Sequence, residues 1–119
     1  LQNKPFTLFN GSEKHLRSFT YVQDIIDGIV SVIGNEEVCN TQIFNLGTEE
    51  ENTTATGIET VEKLLNTTID ILPHPARPGD QSRTQANLDK ARRVLNYNPT
   101  TGLEEGLKAQ IEWYKDRFL

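Results

Sequence analysis

The sequence has a single cysteine, Cys39, so an internal disulfide cannot form. A reducing, cytoplasmic compartment is therefore the expected location. No apolar run approaches the roughly 18 residues that a membrane-spanning helix needs, and no stretch has the pattern of a signal peptide. We accordingly expect no membrane partner. Methionine is also absent, and the opening residues 1–5 resemble the last turn of a helix that Pro5 stops. We therefore expect a domain excised from a larger protein.

The familiar catalytic and cofactor motifs are absent as well. The sequence contains no G-x-G-x-x-G, no phosphate-binding P-loop, no H-E-x-x-H and no C-x-x-C. Cys39 has no histidine or cysteine at ligand spacing, so we expect no metal site. These absences predict no catalytic residue and no bound cofactor within this chain.

Positive charge is in deficit: 12 lysines and arginines stand against 17 acidic residues, a net charge of −5. A chain of this charge is poorly suited to general binding of nucleic acid or membrane surfaces. Any anion site must therefore be a local cluster of arginines.

The pattern of apolar residues predicts a mixed α/β fold in one domain, residues 1–119, with about four helices and three or four short strands. Strands are predicted at residues 6–9, 42–46 and 68–72. Helices are predicted to begin near residues 20, 56, 87 and 101. Polar loops are predicted at residues 36–41 and 48–54.

Three capping boxes mark helix starts, at Thr20, Thr56 and Thr101, each with Gln or Glu three residues later. The first of these helices has an apolar stripe that we predict to lie in the core. Its members are Val22, Ile25, Ile26, Ile29 and Ile33. In the third helix, Leu88, Ala91, Val94 and Leu95 are predicted to face inward, and Asn96 to close it in the left-handed conformation.

Residues 75–80, with the sequence PARPGD, form the most distinctive segment. Two prolines stiffen it, and Gly79 permits a turn that other residues resist. It presents Arg77 and Asp80, and a planar guanidinium suits a phosphate or carboxylate. Arg17 and Arg83 would complete a diphosphate site if the segments meet in space. The alternative is that each arginine is a solvated surface residue.

Other polar residues allow a functional and a structural interpretation. Asp24 and Asp27 could be paired carboxylates for acid–base work, but near a helix start they are more typical of surface acids that offset the helix dipole. His74 and His15 could act as general bases. Without a nucleophile near them in the sequence, loop histidines are the favoured interpretation.

Several segments, in order, resemble the C-terminal part of NAD-dependent nucleotide-sugar epimerases and dehydratases, the extended short-chain dehydrogenase/reductase family, and UDP-glucuronate 4-epimerases in particular. They are RSFTYVQDI (17–25), IFNLG (43–47), RPGD (77–80) with Thr84 and Asn87, KA (90–91), LNYNP (95–99), LEEGL (103–107) and WY (113–114).

The resemblance implies a division of labour. A Rossmann domain, absent here, holds NAD and a Tyr-x-x-x-Lys pair, and this smaller domain binds the nucleotide-diphosphate sugar. It implies that Arg17 reaches the diphosphate, Arg77 contacts phosphate and nucleotide, and Asp80 binds the ribose. Ser18 stands where the family commonly has aspartate. No tyrosine in the chain has a lysine four residues later, so the isolated chain is expected to be inactive.

The full enzyme that the resemblance implies is an epimerase acting through transient oxidation at C4 of the sugar. The resemblance also implies a homodimer, since family members are often dimers. A dehydratase, decarboxylase or reductase of the same family is the alternative within the enzymes. A non-catalytic binding or scaffold protein that reuses the fold is the alternative outside them.

Overall fold

The computed structural model describes residues 4–119, so the helical ending predicted at the first residues lies largely outside it. The helices are α1 (Val22–Val30), α2 (Glu36–Cys39), α3 (Thr54–Leu65), α4 (Asp89–Leu95) and α5 (Leu103–Phe118). The strands are β1 (Phe6–Phe9), β2 (Leu16–Arg17), β3 (Asn52–Thr53), β4 (Ile71–His74) and β5 (Arg83–Thr84). The predicted mixed α/β fold is confirmed, and the extra helix is α2, in a segment predicted as a loop.

These elements form two compact units. The first unit runs to Arg17 and resumes over Asn52–Thr84, and the second comprises Ser18–Glu51 and Gln85–Leu119. None of the helices among residues 4–119 is both long and apolar enough to cross a membrane.

The first unit contains two small sheets. β1 pairs with β4 in parallel, and β2 lies between β3, which is antiparallel to it, and β5, which is parallel to it. The strand predicted at residues 6–9 is confirmed. The strand predicted at residues 68–72 instead covers Ile71–His74, so His74 lies in a strand and not in a loop. The parallel pairing of β2 with β5 brings Arg17 opposite Thr84.

The core of the second unit is built on α4. Leu88, Ala91, Leu95 and Tyr97 are buried there, as the spacing predicted for the three aliphatic residues. Asn96 ends the helix with a φ of 53°, which confirms its predicted left-handed conformation. The buried Tyr97 hydroxyl donates to the carbonyl of Gly47 at 2.8 Å.

The segment that leads to Gly47 was predicted as a buried strand, residues 42–46, and no strand forms there. Phe44 and Leu46 do pack against the core, whereas Ile43 is 83% exposed. Farther along, the predicted exposed loop at residues 48–54 is only partly correct. Thr48 is buried, and β3 and the first residue of α3 lie within the segment.

The apolar stripe of α1 is not in the core, which corrects the prediction. Four of its five members are exposed: Val22 by 62%, Ile26 by 42%, Ile29 by 58% and Ile33 by 74%. The buried positions of α1 are Asp24 and Gly28. Periodicity identified an apolar face correctly, but nothing in the second unit covers that face among the described residues.

The predicted capping boxes are also wrong. Thr20 donates to the Ser18 carbonyl and does not cap α1. Thr53, not Thr56, caps α3, since its hydroxyl oxygen accepts from the Thr56 amide at 3.0 Å. At the start of α5, the amides of Thr100 and Thr101 donate to the Asp24 carboxylate, each at 3.3 Å. Asp24 is therefore a buried anchor between two segments and not a surface acid.

Candidate functional site

The three residues predicted to bind the nucleotide-diphosphate sugar, Arg17, Arg77 and Asp80, meet in the first unit, around the carboxylate of Asp80. Its Oδ1 lies 3.4 Å from Nη2 of Arg17, and its Oδ2 lies 3.3 Å from Nη2 of Arg77. The Asp80 side chain is only 16% exposed. Two guanidinium groups thus converge on one partly buried carboxylate.

Arg17 is held firmly because it ends β2. Its Nη2 also donates to the carbonyl of Gln81 at 2.6 Å, and its Nη1 donates to the carbonyl of Leu16 at 2.9 Å. The parallel register of β2 with β5 places the chain segment that follows Asp80 alongside Arg17. Several bonds along one planar group fix its orientation before any ligand arrives, which reduces the entropy lost on binding.

Arg77 is more accessible, with 57% of its side chain exposed. It lies in a turn that the Asp80 amide closes by donating to the Arg77 carbonyl at 3.4 Å, and Gly79 occupies the left-handed region at a φ of 77°. Its guanidinium carbon lies 4.3 Å from the centroid of the Phe9 ring in β1, a cation–π contact. The Phe9 ring therefore supports the Arg77 guanidinium through its face. This contact leaves the N–H groups of Arg77 able to turn towards a ligand.

His15 joins this group, although its sequence context favoured a loop histidine. Its Nδ1 lies 3.6 Å from Oδ2 of Asp80 and 3.4 Å from Nη2 of Arg17. The signal that could have identified it is its spacing. Residues two apart on extended chain share a face, and His15 precedes Arg17 by two.

The remaining candidates do not assemble into a second site. Arg83, the third predicted arginine, lies in β5 opposite Leu16. The Asp27 carboxylate accepts from the Gln23 side chain at 2.8 Å while Asp24 accepts backbone amides, so the two acids do not form an acid–base pair. His74 makes an edge contact with Phe9, their ring centroids 5.8 Å apart.

Among residues 4–119, no group of three or more histidine, cysteine, aspartate or glutamate side chains is placed to hold a metal ion. The second unit does contain an open groove of about 500 Å³, lined by Phe19, Leu107 and Trp113 among others. No charged side chain lines it, and none of the predicted site residues does. It is therefore not a candidate for binding phosphate.

Two arginines, one histidine and one carboxylate together carry at least one net positive charge. The guanidiniums offer paired N–H donors, which match the oxygens of a phosphate or diphosphate. A nucleophile with an adjacent general base is not among these residues. The chemistry that this arrangement supports is the binding of an anion.

Comparison with known proteins gives matches over nearly the whole chain. Residues 1–110 match the family described as GDP-mannose 4,6 dehydratase. UDP-glucuronate 4-epimerase 1 of Arabidopsis thaliana is 32% identical over an alignment that covers 96% of the chain and 30% of that protein. UDP-glucuronic acid decarboxylase 1 of the same plant is 30% identical over 100% of the chain and 26% of its own length.

The fold has a close counterpart among solved structures. The UDP-glucuronic acid 4-epimerase from Bacillus cereus, in complex with UDP-glucuronic acid and NAD, superposes with a TM-score of 0.87 at 29% identity. The match covers 98% of this chain and 37% of that one. The chain thus spans between about a quarter and just over a third of the length of these relatives.

Proposed function

Because this chain belongs to the GDP-mannose 4,6 dehydratase family, within the extended short-chain dehydrogenase/reductases, we propose that it binds the diphosphate of a UDP-sugar in an NAD-dependent epimerase. The observation that carries the proposal is the convergence of Arg17 and Arg77 on Asp80. Relatives that act on UDP-glucuronate make a UDP-sugar the preferred ligand class.

The three side chains have different parts in this proposal. Arg17, fixed by two backbone carbonyls, is the stationary donor to the diphosphate. Arg77 turns from Asp80 towards a phosphate oxygen, since its contact with the carboxylate is long and its side chain is mostly exposed. Asp80 keeps the two cations together while the site is empty. A carboxylate has about four lone-pair positions, so it can also accept from a ribose hydroxyl.

The redox chemistry lies outside this chain in our proposal. NAD accepts and returns the hydride in such enzymes. The residues present do not suit it, because the sequence has no glycine-rich turn and no Tyr-x-x-x-Lys pair. We therefore propose that this chain is the C-terminal, substrate-binding part of a longer enzyme. The uncovered apolar stripe of α1 supports this, since such a face normally packs against further polypeptide.

A UDP-glucuronate decarboxylase is the second candidate, because the plant decarboxylase aligns with every residue of the chain. The products separate the two functions. An epimerase returns an isomeric UDP-uronic acid that keeps its carboxylate, whereas a decarboxylase releases carbon dioxide. Assaying the full-length protein with NAD against a panel of UDP-, GDP- and dTDP-sugars decides both the reaction and the nucleotide.

Binding is tested by Arg77→Ala in the full-length protein, with titration calorimetry against UDP-glucuronic acid. We expect the binding free energy to weaken by about 1.5–3 kcal/mol, the scale of a hydrogen bond to a charged group. Arg77→Lys should lose less than Arg77→Ala, because it keeps the charge but not the planar fork. Arg93→Ala, at an exposed arginine of α4, is the matched control and should bind normally. Unchanged affinity in Arg77→Ala would remove Arg77 from the site.

A further inference from the structure

The Nδ1 atom of His15 lies between a hydrogen-bond donor and a hydrogen-bond acceptor, and it can bond to only one of them at a time. Nδ1 is 3.4 Å from Nη2 of Arg17, which can only donate, and 3.6 Å from Oδ2 of Asp80, which can only accept when ionised. Without a proton, Nδ1 accepts from Arg17. With a proton, it donates to Asp80. It cannot do both at once.

We propose that His15 is a positioning residue of the anion site: when protonated, its Nδ1 donates to Oδ2 of Asp80, the oxygen that Arg77 also contacts, and so frees the Arg77 guanidinium for the ligand. This rests on the proposed binding of a sugar-nucleotide diphosphate. Histidine is the side chain that ordinarily changes charge between about pH 5 and 8. Protonation also adds one positive charge to the site, so both consequences favour an anion.

The charged surroundings of His15 are compatible with this role. In direct contact are one carboxylate, Asp80, and one guanidinium, Arg17, and Arg77 shares the same carboxylate. The charged residues on the adjoining elements are Glu13 and Lys14 in the short 3-10 helix Ser12–Lys14, Arg83 in β5, and Glu59, Glu62 and Lys63 in α3, which packs on that 3-10 helix. The backbone of His15 is fixed, because its carbonyl accepts from the Thr54 amide at 3.1 Å. The imidazole can therefore change partners while its backbone stays in place.

The test is calorimetry of UDP-glucuronic acid binding to the full-length protein at about pH 5.5 and about pH 8, the range over which histidine ordinarily titrates. The ligand's diphosphate is a diester and its sugar carboxylate is ionised throughout, so its own charge is constant. We expect binding to be about two- to fivefold tighter at the lower pH, the scale of one partly exposed charge pair. His15→Gln should bind equally at both, since glutamine can accept from Arg17 but does not titrate.

His74→Gln is the matched control, because His74 lies in the same unit and contacts Phe9. It should retain the pH dependence of the wild type. Equal affinity of the wild type at the two pH values would overturn the role of His15, as would a pH dependence that survives in His15→Gln. Either result leaves the diphosphate site standing. An absence of binding at both pH values overturns the diphosphate site itself, and the inference with it.

Discussion

Gly28 is the position of α1 where the structure leaves no room for a side chain. A Cβ placed there would lie 2.9 Å from both methyl carbons of Leu46 and 2.9 Å from Cε2 of Tyr97. Carbon atoms prefer separations of about 3.5–4.0 Å. Leu46 could shift its tip, but the Tyr97 ring is 4% exposed and its hydroxyl is bonded to Gly47. Overpacking of this kind costs about 1–3 kcal/mol.

Gly28→Ala also gains helix propensity of about 1 kcal/mol, which partly offsets the clash. Gly106→Ala in α5 is the control that removes this term. A Cβ there would lie 3.4 Å from Tyr21, an ordinary contact. Gly106→Ala should therefore be neutral or stabilising, and Gly28→Ala should be less stable than it by about 1–3 kcal/mol. Urea unfolding followed by circular dichroism measures the difference. Equal stabilities of the two variants would refute the close packing of α1 on Leu46 and Tyr97.

Two further predictions concern the same unit. Asp24→Asn should lower the free energy of unfolding by about 1–3 kcal/mol, because an amide nitrogen cannot accept from the second threonine amide. Asp27→Asn, at an exposed carboxylate, is the control. An equal loss in both variants would contradict the role of Asp24 as an anchor. Burial, with the nearby Asp24 and Asp27 charges, raises the pKa of Tyr97. Folding thus favours the protonated phenol. The contribution of this phenol to the free energy of unfolding is complete below the ordinary tyrosine pKa of about 10, and it is lost as the pH rises through the raised pKa of Tyr97. Unfolding measured above about pH 10 should show a shallower decline for Tyr97→Phe than for the wild type, and parallel declines would contradict this.

The positions of the helices could be predicted from the sequence more accurately than their exact ends and the segments that they pack against. The spacing in α4 located its buried face correctly, because that face packs on residues of the same unit. The box at Thr101 failed because the competing acceptor, Asp24, is 77 residues away in the sequence. The same distance explains why Asp24 was interpreted as a surface acid. Rules about helix dipoles and caps use near neighbours only.

The stripe of α1 shows a different limit. Val22 and Ile33 belong to an apolar face that the 3.6-residue period predicts correctly. Periodicity predicts that an apolar face will be buried, but it does not identify the segment that packs against that face. Within residues 4–119 the closely packed side of α1 is instead the one with Asp24 and Gly28, a carboxylate and a residue without a side chain. No hydrophobic pattern could have identified that side.

The chemical types of the candidate site residues could be predicted from the sequence, but their proximity in space could not. Arg17 and Asp80 are 63 residues apart, and only the parallel pairing of β2 with β5 brings them together. Strands of two residues carry almost no sequence signal, so this pairing was beyond prediction. The spacing of His15 from Arg17 indicates a shared face, but the contact of His15 with Asp80 depends on the same strand pairing.

In the anion site that we propose, a carboxylate at the centre would be expected to repel the ligand. Two guanidiniums without a counter-ion would repel each other. Because 57% of the Arg77 side chain is exposed, its guanidinium could then move away from that of Arg17. Asp80 removes that repulsion through two contacts longer than 3.2 Å, which are weak enough to exchange for a diphosphate. Its cost to ligand binding is therefore small beside the ordering it provides. His15 lies 3.6 Å from the same carboxylate, and in our proposal its protonation shifts the balance between the empty and the occupied site.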